Sequence, residues 1–138
     1  MRNIFFFCCL TFLLAACASK ENKESNSSPE TGNTNLKPQA FKSRLSATSD
    51  AILLDVRTPE EVADGFIEDA INIDYTDSSF AEKIQGLDKS KTYFVYCKSG
   101  KRTAGAVDHM KQSGFKNIYT LDGGYTSWVE NGLETAKP

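Results

Sequence analysis

The chain has 138 residues, 40% hydrophobic and 25% charged, with four cysteines and a formal net charge of −2. That length holds one domain with a tail, and so many apolar residues exclude a wholly disordered protein. The near-balanced charge lacks the basic footprint of a nucleic-acid binder, so no nucleic-acid partner is expected, and four cysteines point at first to a small disulfide framework.

Residues 1–16 read MRNIFFFCCLTFLLAA: one cation, Arg2, then an apolar run broken only by Thr11. The run falls short of the about 20 residues that span a bilayer. A charged start, a short apolar centre and small residues at the end describe a secretory signal peptide. Its end, Leu14-Ala15-Ala16-Cys17, resembles the lipobox of bacterial lipoproteins. That resemblance implies cleavage before Cys17, a diacylglycerol on its sulfur and an acylated amine. Two or three acyl chains anchor stably where one is marginal. The protein is then expected in the bacterial cell envelope, periplasmic or surface-facing, held to the membrane through lipidated Cys17. A plain signal peptide or a short N-terminal anchor is the alternative. Cleavage removes Cys8 and Cys9 and turns Cys17 into a thioether, leaving Cys97 as the one free thiol and no intramolecular disulfide. Such a cysteine is either buried and inert or reactive.

Residues 17–35, CASKENKESNSSPETGNTN, carry too few apolar side chains to offset their ordering entropy and are expected to form a flexible tether. Residues 36–138 then form the domain. The apolar runs Ala51-Ile52-Leu53-Leu54, Ala70-Ile71-Asn72-Ile73, Tyr93-Phe94-Val95-Tyr96 and Ile118-Tyr119-Thr120-Leu121 suit buried strands. Helical patterns lie between them. Phe41 and Leu45 sit four apart; Pro59, Glu60 and Glu61 suit a first turn; Phe80, Ile84 and Leu87 share a face. Ala104, Val107 and Met110 do the same up to a stop at Gly114, and Trp128 and Val129 belong to a last helix ended by Asn131-Gly132. This alternation predicts an α/β fold, a parallel sheet covered on both faces.

The strand at residues 93–96 runs into Cys97-Lys98-Ser99-Gly100-Lys101-Arg102-Thr103 and then a helix. In open parallel sheets, ligands bind at the carboxyl ends of strands. A cysteine there meets a helix N-terminus, whose free N–H groups favour an anion, and Lys98, Lys101 and Arg102 add three cations. A free cysteine is only about 3% thiolate at pH 7, and lowering its pKa by two units takes about 2.7 kcal/mol. A helix dipole gives about 0.3–1 kcal/mol, up to roughly 2. The rest must come from loop N–H bonds and neighbouring cations. These residue types favour a nucleophilic thiolate facing an anionic substrate.

Three stretches in order resemble the rhodanese family of single-domain sulfurtransferases. Leu54-Asp55-Val56-Arg57-Thr58-Pro59-Glu60-Glu61, followed by Gly65-Phe66-Ile67 and Ala70-Ile71-Asn72-Ile73, is similar to the family's first signature. The loop from Cys97 to Thr103 resembles its active-site loop C-x-x-G-x-R-[ST], and Leu121-Asp122-Gly123-Gly124-Tyr125-Thr126-Ser127-Trp128 resembles its L-x-G-G-x-x-x-W. Phe66 departs from the histidine many members carry, which puts a local hydrogen bond in question rather than the nucleophile. The resemblance implies a rhodanese-like domain with a central parallel sheet of about five strands. It also implies a mechanism in which Cys97 takes the outer sulfur of thiosulfate or a related anionic donor as a persulfide. A thiol, or cyanide, then removes that sulfur. On this reading the amides of residues 98–102 and Arg102 hold the persulfide or donor, and Lys98 and Lys101 set the preference for anions. Ser99, Gly100 and Thr103 complete the substrate-binding loop. No cofactor is implied, and a monomer is expected.

Asp55 and Arg57 match family positions and are expected to form a structural ion pair near the loop, with substrate contact as the alternative. His109 lies twelve positions after Cys97 inside a helix, too far along it for a Cys–His dyad, and is read as a surface residue. One histidine and one free cysteine cannot close a structural zinc site, so no metal is expected. Gly123-Gly124 lacks the Lys-Ser/Thr of a P-loop and reads as a turn. Tyr93, Phe94 and Tyr96 read as core. Two rival functions stand beside sulfur transfer. A cysteine phosphatase needs C-x5-R, but the arginine here falls at C-x4-R and position 103 is threonine. A non-catalytic sulfane-sulfur carrier or binding module is the other.

Overall fold

In the computed structural model, residues 33–138 are described; the expected signal peptide, Cys17 and most of the tether lie outside the described residues. Strands and helices alternate as β1 (Asn33–Leu36), α1 (Pro38–Ala47), β2 (Ala51–Asp55), α2 (Pro59–Ala63), β3 (Ile71–Asn72), α3 (Phe80–Gln85), β4 (Thr92–Tyr96), α4 (Lys101–Gln112), β5 (Asn117–Leu121) and α5 (Gly124–Glu130). The five strands are parallel, in the order β1-β5-β4-β2-β3. The expected parallel sheet with helices on both faces is present.

Two-residue alternation along the central strands sorts the core into two layers. Leu54, Tyr93 and Val95 pack with Phe80 and Ile84 of α3 and with Ala106, Val107 and Met110 of α4. Leu53, Phe94 and Tyr96 pack on the other face with Phe41 of α1 and Trp128 of α5. All of these are buried, and each large aliphatic or phenylalanine side chain among them contributes about 1.5–3 kcal/mol. Tyr93, Phe94 and Tyr96 are therefore core, as their strand pattern predicts.

Three sequence expectations need correction. The tether assigned to residues 17–35 loses its last three to β1, whose partner is β5 alone. An edge strand makes one ladder and needs no apolar alternation, so Asn-Thr-Asn-Leu carries no strand signal. The run at residues 70–73 is not a buried strand. Only Ile71 and Asn72 pair, at the opposite edge, and Ile71 is 46% exposed while Ile73 turns inward. On α4 the buried face is Thr103, Ala106, Val107 and Met110, and Ala104 is exposed.

The two ends of α4 and α5 follow the expected chemistry. Gly114, just past α4, has φ +95°, and Gly132, just past α5, has φ +69°, the left-handed conformation that closes a helix.

Candidate active site

From β2 the chain moves outward to β3, and from β4 it moves the other way to β5. The carboxyl ends of β2 and β4 therefore border the crevice where the strand order reverses, the place an open α/β sheet offers a ligand. Asp55, Val56 and Arg57 leave β2 there, and Cys97 leaves β4. Val56 N donates to Tyr96 O at 2.9 Å, carrying the pairing past the strand ends.

Cys97 is 1% exposed, and the amide of Gly100 donates to its Sγ at 3.1 Å. Gly100 has φ +94°, so the loop turns sharply back over the sulfur before α4 begins. No side chain caps α4, which leaves first-turn amides for the sulfur. Burial alone opposes ionisation of this thiol. The Thr103 hydroxyl and the amides of Thr103, Ser99 and Gly100 outweigh it and hold Cys97 below the ordinary thiol value. These leading contributions are dipoles rather than ammonium groups, and Lys98 and Lys101 are exposed. Thr103 Oγ1 is buried and makes no well-formed hydrogen bond in the resting site, although it lies close enough to favour the thiolate.

Arg102 does not turn to the sulfur in the resting protein. Its Nη1 and Nη2 donate to Glu61 Oε2 at 2.6 Å and Oε1 at 2.8 Å. Glu61 also accepts from the Thr58 amide at 3.1 Å, closing a capping box at the start of α2. The Arg102 guanidinium, against the partial burial of the pair, pulls the Glu61 carboxyl down to about 2. The Thr58-x-x-Glu61 spacing was a legible capping signature. Nothing in the sequence tied it to a loop 41 positions away.

Asp55 and Arg57 lie beneath the site as a buried pair, with Arg57 Nη2 to Asp55 Oδ2 at 2.6 Å. Arg57 also donates to the carbonyls of Glu61 and Gly65, and its guanidinium stacks 4.0 Å from the Tyr125 ring. It thus ties β2, α2, the Gly65 turn and α5 together. Asn72 Nδ2 donates to the carbonyls of Asp55 and Arg57, fastening the edge strand to the same segment.

The Gly123-Gly124 turn does more than reverse the chain. Tyr125 N and Thr126 N donate to the carbonyls of Cys97 and Lys98 at 2.8 and 3.0 Å. A Cβ on Gly124 would lie 2.7 Å from the Lys98 carbonyl oxygen, so only glycine lets α5 reach the active-site loop so closely. His109 sits on the exposed face of α4 against Tyr75 and Phe80, with no hydrogen bond to Cys97. Phe66 exchanges backbone hydrogen bonds with Ala136 at 2.9 and 2.8 Å.

Two cavities flank the loop. One of about 160 Å³ is bordered by Arg57, Glu61, Lys98 and Tyr125. The other, about 460 Å³, is bordered by Ser99, Gly100, Lys101 and Thr103 and by the ends of β1 and β5. Among the described residues no group of three His, Cys, Asp or Glu side chains converges on a metal position, and no helix is long and apolar enough to cross a membrane.

A parallel α/β sheet with a buried thiol cradled by amides at its switch point defines the class of fold and candidate site. Residues 37–131 match the rhodanese-like domain, and the chain belongs to that family. It is 31% identical to the sulfurtransferase of Allochromatium vinosum, across 72% of this chain and 92% of that protein. It is 35% identical to thiosulfate sulfurtransferase 16 of Arabidopsis thaliana, across 59% of this chain and 77% of that one. The crystal structure of a rhodanese-related protein from Thermoplasma volcanium aligns with a TM-score of 0.67 at 32% identity, across 76% of this chain and 99% of the other.

Proposed function

We propose that this protein transfers a sulfane sulfur from thiosulfate or a related anionic donor to a thiol or cyanide acceptor through a persulfide on Cys97. The thiolate attacks the donor's outer sulfur, forming an Sγ–S bond while sulfite leaves with the electron pair. The acceptor then takes that sulfur and restores the thiolate, a covalent ping-pong exchange. The observation that carries this reading is the cradle: the Gly100 amide on Sγ at 3.1 Å, with the Thr103 hydroxyl buried beside it and unspent. Fixed dipoles of this kind suit a sulfur anion without reorganisation. Lys98 and Lys101, exposed on the loop, supply the positive field that draws an anionic donor. The relatives' names, sulfurtransferase and thiosulfate sulfurtransferase, support the class of reaction and of donor.

Turnover with thiosulfate and cyanide, native against Cys97→Ser, tests it. The native protein is expected to turn over and to gain the mass of one sulfur with donor alone, and the serine variant to do neither. Equal turnover by both removes Cys97 as nucleophile. A persulfide without turnover makes the protein a carrier. Hydrolysis of an aryl phosphate without sulfur transfer makes it a phosphatase.

Export and lipidation at Cys17 complete the proposal, resting on Arg2, the apolar run and Leu14-Ala15-Ala16-Cys17. The enzyme then works in the cell envelope, with the polar residues after Cys17 as spacer. Mass spectrometry of the native protein checks this, since a free Cys17 thiol or an uncleaved N-terminus excludes it.

A further inference from the structure

The cavity of about 460 Å³ has no part in the chemistry above, yet it shares a wall with the sulfur's cradle. Gly100, whose amide reaches Sγ, borders it, and so does Thr103, 2% exposed, whose hydroxyl is unpartnered. The facing wall is a chain of three polar side chains. Thr120 Oγ1 donates to Asn35 Oδ1 at 3.0 Å, and Asn35 Nδ2 donates to Asp122 Oδ1 at 3.2 Å. This fixes one carboxylate oxygen of Asp122 and leaves Oδ2 without a hydrogen bond among the described residues. Lys101 borders the same cavity from an exposed position. A carboxylate held at one oxygen, a bordering lysine and a sulfur one loop away suit a ligand with the complementary groups. The volume lies at the lower end of the about 300–1,000 Å³ usual for small-molecule sites.

We propose that this cavity is the acceptor site, and that it takes a small thiol of the amino-acid type, its ammonium on Asp122 and its carboxylate on Lys101. The inference rests on the persulfide reading and names the acceptor class for it. The acceptor thiolate attacks the outer sulfur of the protonated Cys97 persulfide. A new S–S bond forms, the Sγ–S bond breaks, its electron pair stays on Sγ, and the proton leaves on the outer sulfur as the acceptor hydropersulfide. Donor and acceptor then share the loop sulfur and the field of Lys101, while the acceptor's ammonium is read by Asp122 just past β5, which the donor does not need.

The test isolates the second half-reaction. Protein carrying a preformed Cys97 persulfide, freed of donor, is mixed with cysteine, cysteamine, 3-mercaptopropionate or cyanide, and the rate of persulfide loss is followed. Comparing native protein with Asp122→Asn for each acceptor cancels intrinsic nucleophilicity, and asparagine keeps an oxygen for Asn35. Cysteine and cysteamine, which carry the ammonium, are expected to slow about fivefold, the scale of a partly exposed ion pair. 3-Mercaptopropionate and cyanide are expected to keep their rates, and cyanide doubles as the check that the variant is folded. Transfer to cyanide with no selective loss for the ammonium-bearing thiols overturns this inference alone. Failure of the native protein to pass sulfur even to cyanide overturns the functional reading and this inference with it.

Discussion

Glu61 holds both terminal nitrogens of Arg102, at 2.6 and 2.8 Å, so the one arginine of the Cys97 loop has its charge already matched. On the proposed function, attraction for an anionic donor then rests on Lys98 and Lys101. Glu61→Gln is the informative change, because glutamine still completes a capping box with Thr58. Freed from its partner, Arg102 adds its charge to the loop. The KM for thiosulfate is expected to fall severalfold at low ionic strength with kcat little changed, and the difference to shrink as salt screens it. Steady-state kinetics at two salt concentrations measure this. An unmoved KM means that the donor does not feel Arg102.

The same pair leaves a mark on acid stability. Glu61 titrates at about 2 in the folded protein against an ordinary 4.5, its pKa lowered chiefly by the Arg102 hydrogen bonds. A depressed carboxyl stabilises the fold above its unfolded pKa and loses that contribution as pH falls through the folded one. Stability is therefore expected to decline between about pH 4.5 and 2. Because both side chains are about a quarter exposed, the contribution is about 1 kcal/mol. Urea denaturation across that window should show the slope in the native protein and a shallower one in Glu61→Gln.

Thr103 separates reactivity from stability. Its hydroxyl favours the Cys97 thiolate, yet it is buried without a well-formed hydrogen bond of its own. Thr103→Val keeps the shape and removes the oxygen. Since an unsatisfied buried polar group costs about 1–3 kcal/mol, the variant is expected to be as stable as the native protein or more so. The pH profile of persulfide formation should shift the other way, its inflection moving up as the thiolate loses a supporting dipole. A variant with an unchanged inflection assigns the lowered thiol pKa to the loop amides alone.

Much of this architecture was legible because its signals are local. The strands at β2, β4 and β5 show as apolar runs, and the candidate site shows as a cysteine between a strand and a helix in a basic loop. β1 was hidden because an edge strand needs one ladder and no apolar pattern. The Glu61–Arg102 pair and the docking of Tyr125 on the Cys97 carbonyl were hidden for another reason. They join segments whose nearness depends on the order of strands in the sheet, and no spacing along the chain encodes that. Support for the thiolate was expected from loop N–H bonds and neighbouring cations together. The amides of Thr103, Ser99 and Gly100 supply the first, and the Thr103 hydroxyl joins them because the first turn of α4 brings it beside the sulfur.

The Gly124 contact carries a sharp stability test. With φ +61° and a Cβ that would strike the carbonyls of Cys97 and Lys98, Gly124→Ala forces α5 away from the active-site loop. A loss of about 2–3 kcal/mol is expected from backbone strain and the displaced hydrogen bonds of Tyr125 and Thr126. The loop amides should lose their alignment on Sγ, so persulfide formation should slow even where the variant remains folded. Gly132, also at positive φ but with nothing within 4 Å of its Cβ, serves as control: Gly132→Ala should cost only the backbone strain and leave the rate untouched.

Asp55 and Arg57 decide between structure and substrate contact. Both are at most 2% exposed, and Arg57 spends its donors on Asp55 and on the carbonyls of Glu61 and Gly65. Removing one member of such a pair strands the other's charge, so Asp55→Asn is expected to lower the free energy of unfolding by about 3–5 kcal/mol in urea, with the denaturant slope unchanged. A structural role makes a further demand. Under conditions where the variant is still folded, its KM for thiosulfate should match the native value, because nothing that meets the donor has changed charge. A KM that rises with kcat preserved would instead put Arg57 on the substrate, through the cavity it borders with Lys98. The guanidinium stacks 4.0 Å from Tyr125, whose amide bonds the Cys97 carbonyl, so a looser pair should also loosen the loop. That effect appears in kcat rather than in KM, and the split between the two constants separates a support for the nucleophile from a binder of its substrate.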